Sequence, residues 1–182
     1  MSRLPSESLG RVVARGSHTT AGGSTSEVIT LASSWDRTKH YVKINWGGTP
    51  TGGQSSCSYY MTADNQITLR SCGPDNIPGG TGLDYEVRRV DTSRGSVQHG
   101  LATLTLSAPT DSDTITLASA VPDWNLAQFN LQVLGGNYLA YEGAGPDASK
   151  WITVKMATNS TATATTASVT ATTAYIGYSV IP

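Results

Sequence analysis

Three histidines are the side chains of this sequence best suited to proton transfer. A nucleophilic triad needs a Ser or Cys, a His and an orienting acid within mutual reach. His18, His40 and His99 stand in no recognisable catalytic signature, and Gly23-Ser24-Thr25 is not a nucleophile elbow. We interpret the histidines as surface or interface residues. A catalytic pair would require His40 and His99 to meet between two halves of the chain.

The carboxylates indicate turns rather than catalysis. Asp111, Asp113 and Asp123 lie in turn-like contexts, where Asp side chains commonly bond the local backbone. They lack the fixed spacing of further oxygen ligands that a calcium loop needs. The Gly-Gly pairs lack the Lys-Ser/Thr ending of a phosphate-binding loop. We therefore expect no enzymatic activity, no metal site and no cofactor.

Cys57 and Cys72 could form a disulfide. Asp64-Asn65 lies midway between them and predicts a two-residue hairpin turn. Such a turn would place the two cysteines directly opposite each other, at a distance that a disulfide could span. The favoured interpretation is nevertheless two half-buried free thiols in a protein that folds in a reducing cytoplasm.

Composition favours strands over helices. The chain has 182 residues, of which 14% are charged, and its formal net charge is -1. Ser and Thr together make 46 residues, with 19 Gly. Such a chain suits short strands joined by Gly- and Ser-rich turns, and it has no strong field to attract nucleic acid or an anionic membrane. Nothing resembles a signal peptide or a membrane span, so we expect synthesis in a cytoplasm without a membrane anchor.

The hydrophobic pattern has a period of two. Val42, Ile44 and Trp46 alternate with polar neighbours, as in a half-buried strand. Residues 157–174 are rich in Thr and Ala, and we interpret them as a strand pair or an exposed β-ribbon. A short helix could form over residues 124–129.

An internal repeat is the most informative feature. Residues 26–33 read SEVITLAS and residues 112–119 read SDTITLAS. Further matches follow in the same order: residues 44–48 with 132–136, residues 67–69 with 152–154, and Tyr85 with Tyr175. Ordered matches predict a duplicated domain. We expect an all-β fold with two small antiparallel β-sandwich or barrel domains, at residues 26–92 and 93–182, preceded by an extended N-terminal arm at residues 1–25.

The arm is basic and contains few apolar residues. Residues 1–25 hold three arginines against one glutamate. Such a segment buries too little apolar area to order itself, so we expect it to become ordered on a partner surface. The candidate interaction residues are Arg3, Arg11, Val12, Val13, Arg15 and His18.

The stretch Leu9 to Gly23, reading LGRVVARGSHTTAGG, followed by a Thr-rich β-domain, resembles small structural proteins of tailed bacteriophages that decorate or cement the capsid. This resemblance implies an arm that lies on or threads into the capsid lattice, and β-domains that project from it or bridge capsomers. It implies the major capsid protein as partner, a homo-oligomer (dimer or trimer), and a place on the capsid exterior.

A second hypothesis is a carbohydrate- or receptor-binding β-module of a phage tail fibre or spike, with a host glycan as partner. Aromatic residues could form a stacking platform for sugars, although aromatic residues at such positions are more often core residues of a sheet. They are Tyr59, Tyr60, Tyr138, Tyr141, Tyr175, Tyr178 and the four Trp.

Overall fold

Residues 10–46, 57–72, 76–106, 112–133, 152–166 and 172–182 are described by a computed structural model. These ranges contain strands and no helix, which confirms the all-β class. Residues 124–126 form a turn followed by a strand, so the helix expected there is wrong. The strands are β1 (Arg11–Thr19), β2 (Ser26–Thr30), β3 (His40–Trp46), β4 (Cys57–Ala63), β5 (Gln66–Ser71), β6 (Gly82–Arg89), β7 (Gln98–Leu106), β8 (Ser112–Thr116), β9 (Gln128–Leu131), β10 (Ile152–Met156), β11 (Thr161–Thr166) and β12 (Thr172–Ile181).

The two halves of the chain have the same strand order. The first half forms sheets β1-β6-β3 and β2-β5-β4, and the second forms sheets β7-β12-β9 and β8-β11-β10. Every named pairing is antiparallel. Strands one, six and three of each half therefore share a sheet, as do strands two, five and four. Descent of this repeat from a duplication stays a prediction.

The SEVITLAS and SDTITLAS segments occupy matching places. Ile29 and Ile115 are 2% and 3% exposed, on β2 and β8. The backbone N–H of Leu31 bonds the carbonyl of Asn65, and that of Leu117 bonds the carbonyl of Ser160, at 2.8 and 2.9 Å. Each segment is thus attached in the same way to the turn before strand five of its half.

The three further matches all need correction. Residues 67–69 lie on β5, whereas residues 152–154 lie on β10, which corresponds to β4. Tyr85 corresponds to Tyr178 rather than Tyr175, so Ile44, the partner of Tyr85, corresponds to Leu131, the partner of Tyr178, and not to residue 132. Tyr85 stands opposite Gly16 and Tyr178 stands opposite Gly100, and in each pair the ring occupies the space that a Cβ on the glycine would need. An aromatic side chain covering a cross-strand glycine is a recognised means of stabilising a sheet.

Each half has its own core, built from the inward face of its strands. The first is centred on side chains such as Ile67, Leu69 and Val87, and the second on Leu104, Ile152 and Ile176, all of them fully buried. In the Thr- and Ala-rich stretch, Ala162 and Ala164 are fully buried on β11, which is the central strand of its sheet. Ala alternates with Thr here because the Ala side chains face the core while the Thr side chains lie on the other side of the strand.

The N-terminal arm is not a separate segment over its described part. Arg11–Thr19 forms β1, which pairs along its length with β6 of the first half. Thr20 is buried, and its backbone bonds the carbonyl of Thr81. The expected boundary at residue 25 is therefore wrong, because the first half itself supplies the strand partner that the arm requires.

Candidate interaction surfaces

The outer face of sheet β1-β6-β3 carries charged residues in cross-strand rows. Glu86 stands between Arg15 on β1 and Lys43 on β3. Its carboxylate accepts from Arg15 Nε at 3.1 Å and from Arg88 Nη2 at 2.7 Å. These hydrogen bonds, that of Arg88 foremost, lower the pKa of Glu86. The Arg15 side chain is still 71% exposed and free to contact a partner.

The strands of this sheet are strongly basic, and we refer to it as the basic sheet. Its five Lys and Arg residues stand against the acidic residues Asp84 and Glu86. Arg11 stands directly opposite Arg89. Like charges facing each other across a strand pair destabilise it, so this end of the sheet favours a negatively charged neighbour.

Among the residues that the structure describes, strand β1 pairs with β6 alone and is an edge of the basic sheet. At the other edge, β3 is covered, since the Val42 carbonyl accepts from Gln132 and the Ile44 N–H donates to the Tyr59 hydroxyl. An open edge strand can accept a further strand from another chain. A bulge between Val12 and Ala14 interrupts the pairing near the start of β1.

Three further candidate residues of the expected arm, Val12, Val13 and His18, lie on strand β1. Val12 and Val13 are half-buried, and Val13 packs against the first core. His18 Nε2 lies 2.7 Å from the Glu27 carboxylate. Burial would raise the pKa of Glu27, but the hydrogen bonds from His18 and from the Ala21 backbone together lower it. Arg3 lies outside the described residues.

His40 and His99 do meet at the junction of the halves, but through the backbone. His99 Nε2 lies 2.9 Å from the His40 carbonyl and 3.0 Å from that of Arg37. Both partners are acceptors, so Nε2 carries the proton. Burial lowers the pKa of His99, which disfavours the charged ring. His40 Nδ1 bonds the carbonyl of Asp36 at 2.8 Å. Both rings therefore serve as structural hydrogen-bonding groups.

The outer face of sheet β7-β12-β9 is covered by the first half of the chain. A Cβ on Gly177 would collide with the backbone of Tyr59. The Tyr175 N–H donates to the Cys72 carbonyl at 3.0 Å, and Arg70 lies 4.5 Å above the Tyr175 ring. Since Tyr178 corresponds to Tyr85, Gly177 and Ser179 occupy the positions of Asp84 and Glu86. The covered face thus carries small neutral residues where the open face carries charges.

Ser179 was not a candidate in the sequence, yet it stands in register between His99 and Asn130. His99 Nδ1, Ser179 Oγ and Asn130 Nδ2 are each buried without a hydrogen-bond partner among the described residues. A serine beside a histidine could act as a nucleophile, but Ser179 is 0% exposed and cannot meet a substrate. No sequence motif marks this row, because it exists only through strand pairing.

The two cysteines form no disulfide and face different cores. A bulge between Met61 and Ala63 shifts the hairpin register, so that Cys57 pairs with Ser71 and not with Cys72. Cys57 packs into the first core and Cys72 into the second. A shift of one residue reverses the side on which every side chain of a strand lies. Burial raises the pKa of each thiol to about 12.

The aromatic residues of the described chain belong mainly to sheets. Tyr59 and Tyr178 are 6% and 5% exposed, and Phe129 stacks on Tyr178 at 5.0 Å. Trp124, by contrast, is 38% exposed. Tyr138, Tyr141 and the aspartate Asp111 lie outside the described residues.

Two further findings concern other classes of site. In the described ranges no group of three or more His, Cys, Asp or Glu residues could hold a metal ion. The same ranges contain no helix long and apolar enough to cross a membrane. Asp123 accepts a backbone hydrogen bond from Asn125 in a turn, as expected, whereas Asp113 lies on β8 and accepts one from Thr105 on β7 rather than within a turn.

Comparisons of the chain with protein-family models, with curated proteins and with solved structures found no match.

Proposed function

We propose that this protein is a non-enzymatic structural protein of a tailed-bacteriophage virion, a decoration or cement subunit that binds and stabilises the assembled capsid lattice from its exterior. The observation that carries this proposal is β1, an edge strand with no second strand partner in the described ranges, in a sheet whose strands hold five basic against two acidic residues. This strand also contains most of the stretch, Leu9 to Gly23, that resembles capsid decoration proteins. The major capsid protein is the proposed partner, and the subunit is made in the host cytoplasm.

The mechanism is adhesive. An extended segment of the capsid protein adds to the open edge of β1 through main-chain hydrogen bonds, which supply affinity. Acidic side chains on the same segment relieve the repulsion between Arg11 and Arg89. A subunit that binds only the assembled lattice stabilises it by mass action, and many copies on one shell add their contributions.

Co-sedimentation of the purified protein with capsid shells of the same phage, prepared without decoration subunits, tests this proposal. Arg11→Glu should lower binding at least tenfold, because it removes the attraction for an acidic partner while leaving a favourable pair with Arg89. Arg94→Glu, a change at an exposed residue between β6 and β7, is the matched control and should bind nearly as the wild type does. Failure of the wild-type protein to bind shells at low salt would refute the proposal.

A cleft favours the second candidate function, a carbohydrate- or receptor-binding module. Its volume is about 380 Å³, and its lining includes Phe129, Asn130, Leu131, Thr153 and Val154. An aromatic ring beside a hydroxyl group suits a sugar. Thr153 is exposed, so binding of host surface glycans to the wild-type protein, abolished by Thr153→Val, would favour this candidate over the capsid one.

A further inference from the structure

The junction between the halves shows how one half of this fold covers another. The turn Asp36–Lys39 of the first half lies against the start of the second half. The Thr38 carbonyl accepts from Val97 N–H at 2.8 Å, and the Arg37 carbonyl accepts from His99 at 3.0 Å. Residues of the loop after β2 thus dock onto the strand that opens the next half.

The second half contains an equivalent turn, Asp123–Leu126. In the first half the Asp36 carboxylate accepts from the N–H of Thr38, and the Asp36 carbonyl accepts from Lys39 N–H at 2.9 Å. In the second half the Asp123 carboxylate accepts from the N–H of Asn125, and the Asp123 carbonyl accepts from Leu126 N–H at 3.3 Å. Arg37 therefore corresponds to Trp124, and Lys39 corresponds to Leu126.

This second turn carries apolar residues where the first turn carries charges. Trp124 is 38% exposed and Leu126 is 53% exposed, and they are two of the three exposed large apolar side chains in the described chain. In the described ranges no hydrogen bond reaches the carbonyls of Trp124 and Asn125, whereas the equivalent carbonyls of Arg37 and Thr38 are both bonded. Exposed aromatic groups with open hydrogen-bonding capacity are typical of an interaction surface.

We propose that the turn Asp123–Leu126 of one copy docks against the basic sheet of a second copy, so that copies of the chain associate head to tail. The two surfaces are the free counterparts of those that meet at the internal junction. The outer face of sheet β7-β12-β9 is covered within the chain, whereas Arg15, Lys43 and Asp84 are exposed on the equivalent face of the basic sheet. Arg15, which corresponds to His99, supplies the donor for the open carbonyls.

The charge distribution supports this partner. Residues 1–100 hold ten Lys or Arg and eight Asp or Glu, and residues 101–182 hold two and five. The first half of one copy is therefore attracted to the second half of another. An arginine over the face of a tryptophan adds a cation–π contact, and Trp and Arg are the residues that most often dominate interfaces.

The repeated strand order carries this inference, which does not depend on the proposed virion function. A head-to-tail interface is heterologous, because it joins two different surfaces, so it generates a ring or an open series rather than a two-fold dimer. This property makes the association testable with two complementary variants of the full chain.

The experiment is sedimentation velocity at up to about 200 µM, where a Kd of micromolar order would be saturated. The tail is the turn Asp123–Leu126, and the tail variant, Trp124→Arg with Leu126→Lys, gives it basic residues like those of the first turn. The head is the basic sheet, and the head variant, Arg15→Gln with Lys43→Gln, removes positive charge from it without adding repulsion. Val28→Lys, at the third exposed large apolar residue, is the control. Circular dichroism verifies that each variant is folded.

The expected result is a concentration-dependent series for the wild type and for Val28→Lys, and monomers for the head and tail variants alone. A mixture of the head and tail variants should form a dimer and nothing larger, because only one competent surface of each remains. A monomeric wild type would overturn the proposal, as would a tail variant that associates like the wild type. Binding of monomeric wild type to capsid shells, lost in the tail variant, would assign this surface to another partner and also overturn it.

Discussion

The side-chain amide of Gln132 donates a 2.8 Å hydrogen bond to the carbonyl of Val42, across the junction between the halves. Gln132 is 2% exposed, and its own backbone bonds both Tyr59 and Gly177. One residue thus attaches β9 of the second half to β3 and β4 of the first and to β12 of its own half. The halves are thus connected by hydrogen bonds as well as by apolar contact, although Gln132 Oε1 itself has no partner among the described residues.

Gln132→Leu should lower the free energy of unfolding by about 1–3 kcal/mol, because it leaves the Val42 carbonyl buried without a partner. Denaturant unfolding followed by tryptophan fluorescence measures the change. Gln98→Leu is the matched control, since the Gln98 side chain bonds Ser119 at an exposed site within the second half. An equal effect of the two substitutions would contradict a special role for Gln132.

Gly177→Ala should destabilise the junction by about 1–3 kcal/mol or more, because the new Cβ would overlap backbone atoms of Tyr59 that cannot move aside. Gly82→Ala serves as the control. A Cβ on Gly82 meets no atom within 4 Å, so this substitution should change the unfolding free energy by less than about 0.5 kcal/mol. Thermal unfolding of the two variants and of the wild type measures both changes, and equal losses for the two variants would contradict the prediction.

Acidification should weaken the protein through His99. Its folded-state pKa is lowered below the ordinary value of 6.5, so the His99 ring is protonated more readily in the unfolded chain than in the folded protein. The stabilisation is fully present above pH 6.5 and is lost as the pH falls below that value. His99→Gln cannot titrate, and its unfolding free energy should vary less between pH 7.5 and 5.5. An unchanged pH dependence in this variant would rule His99 out as the source.

Both thiols should resist modification in the native protein. Each is buried with its pKa raised to about 12, so the reactive thiolate is scarce at neutral pH. Ellman's reagent should react slowly with the folded protein and rapidly in denaturant. Oxidation of the folded protein should form no intramolecular disulfide. Mass spectrometry that finds a Cys57–Cys72 link after mild oxidation would contradict the register described above.

Truncation should distinguish a free arm from a structural strand. Removal of residues 1–19 deletes β1 and exposes the inner row of β6, including Tyr85 and Val87, so the first half should lose its cooperative unfolding transition. Removal of residues 1–9 leaves β1 intact and should preserve that transition. A fully folded protein without β1 would contradict the assignment of this strand to the core.

The local sequence pattern was sufficient to predict the fold class. Alternating apolar residues and Gly- and Ser-rich turns predicted an all-β chain, and the SEVITLAS repeat identified segments in which Ile29 and Ile115 are buried at matching places. These features depend on side-chain period and on turn chemistry, which neighbouring residues determine. The basic character of the N-terminal strand was equally visible, because charge is read directly from the residues.

Tertiary structure decided which strands pair, in which register, and which sheet face is covered. The bulge beside Met61 places Cys57 and Cys72 on opposite sides of their hairpin, and no local signal announces such a one-residue slip. Strand β1 had too little apolar content to order itself, yet β6 supplies its partner. Gly177 and Asp84 occupy equivalent positions, and only the packing of one half onto the other determines that the first is covered while the second faces solvent. Long-range pairing brings together residues far apart in the chain, so a sequence read locally leaves it open.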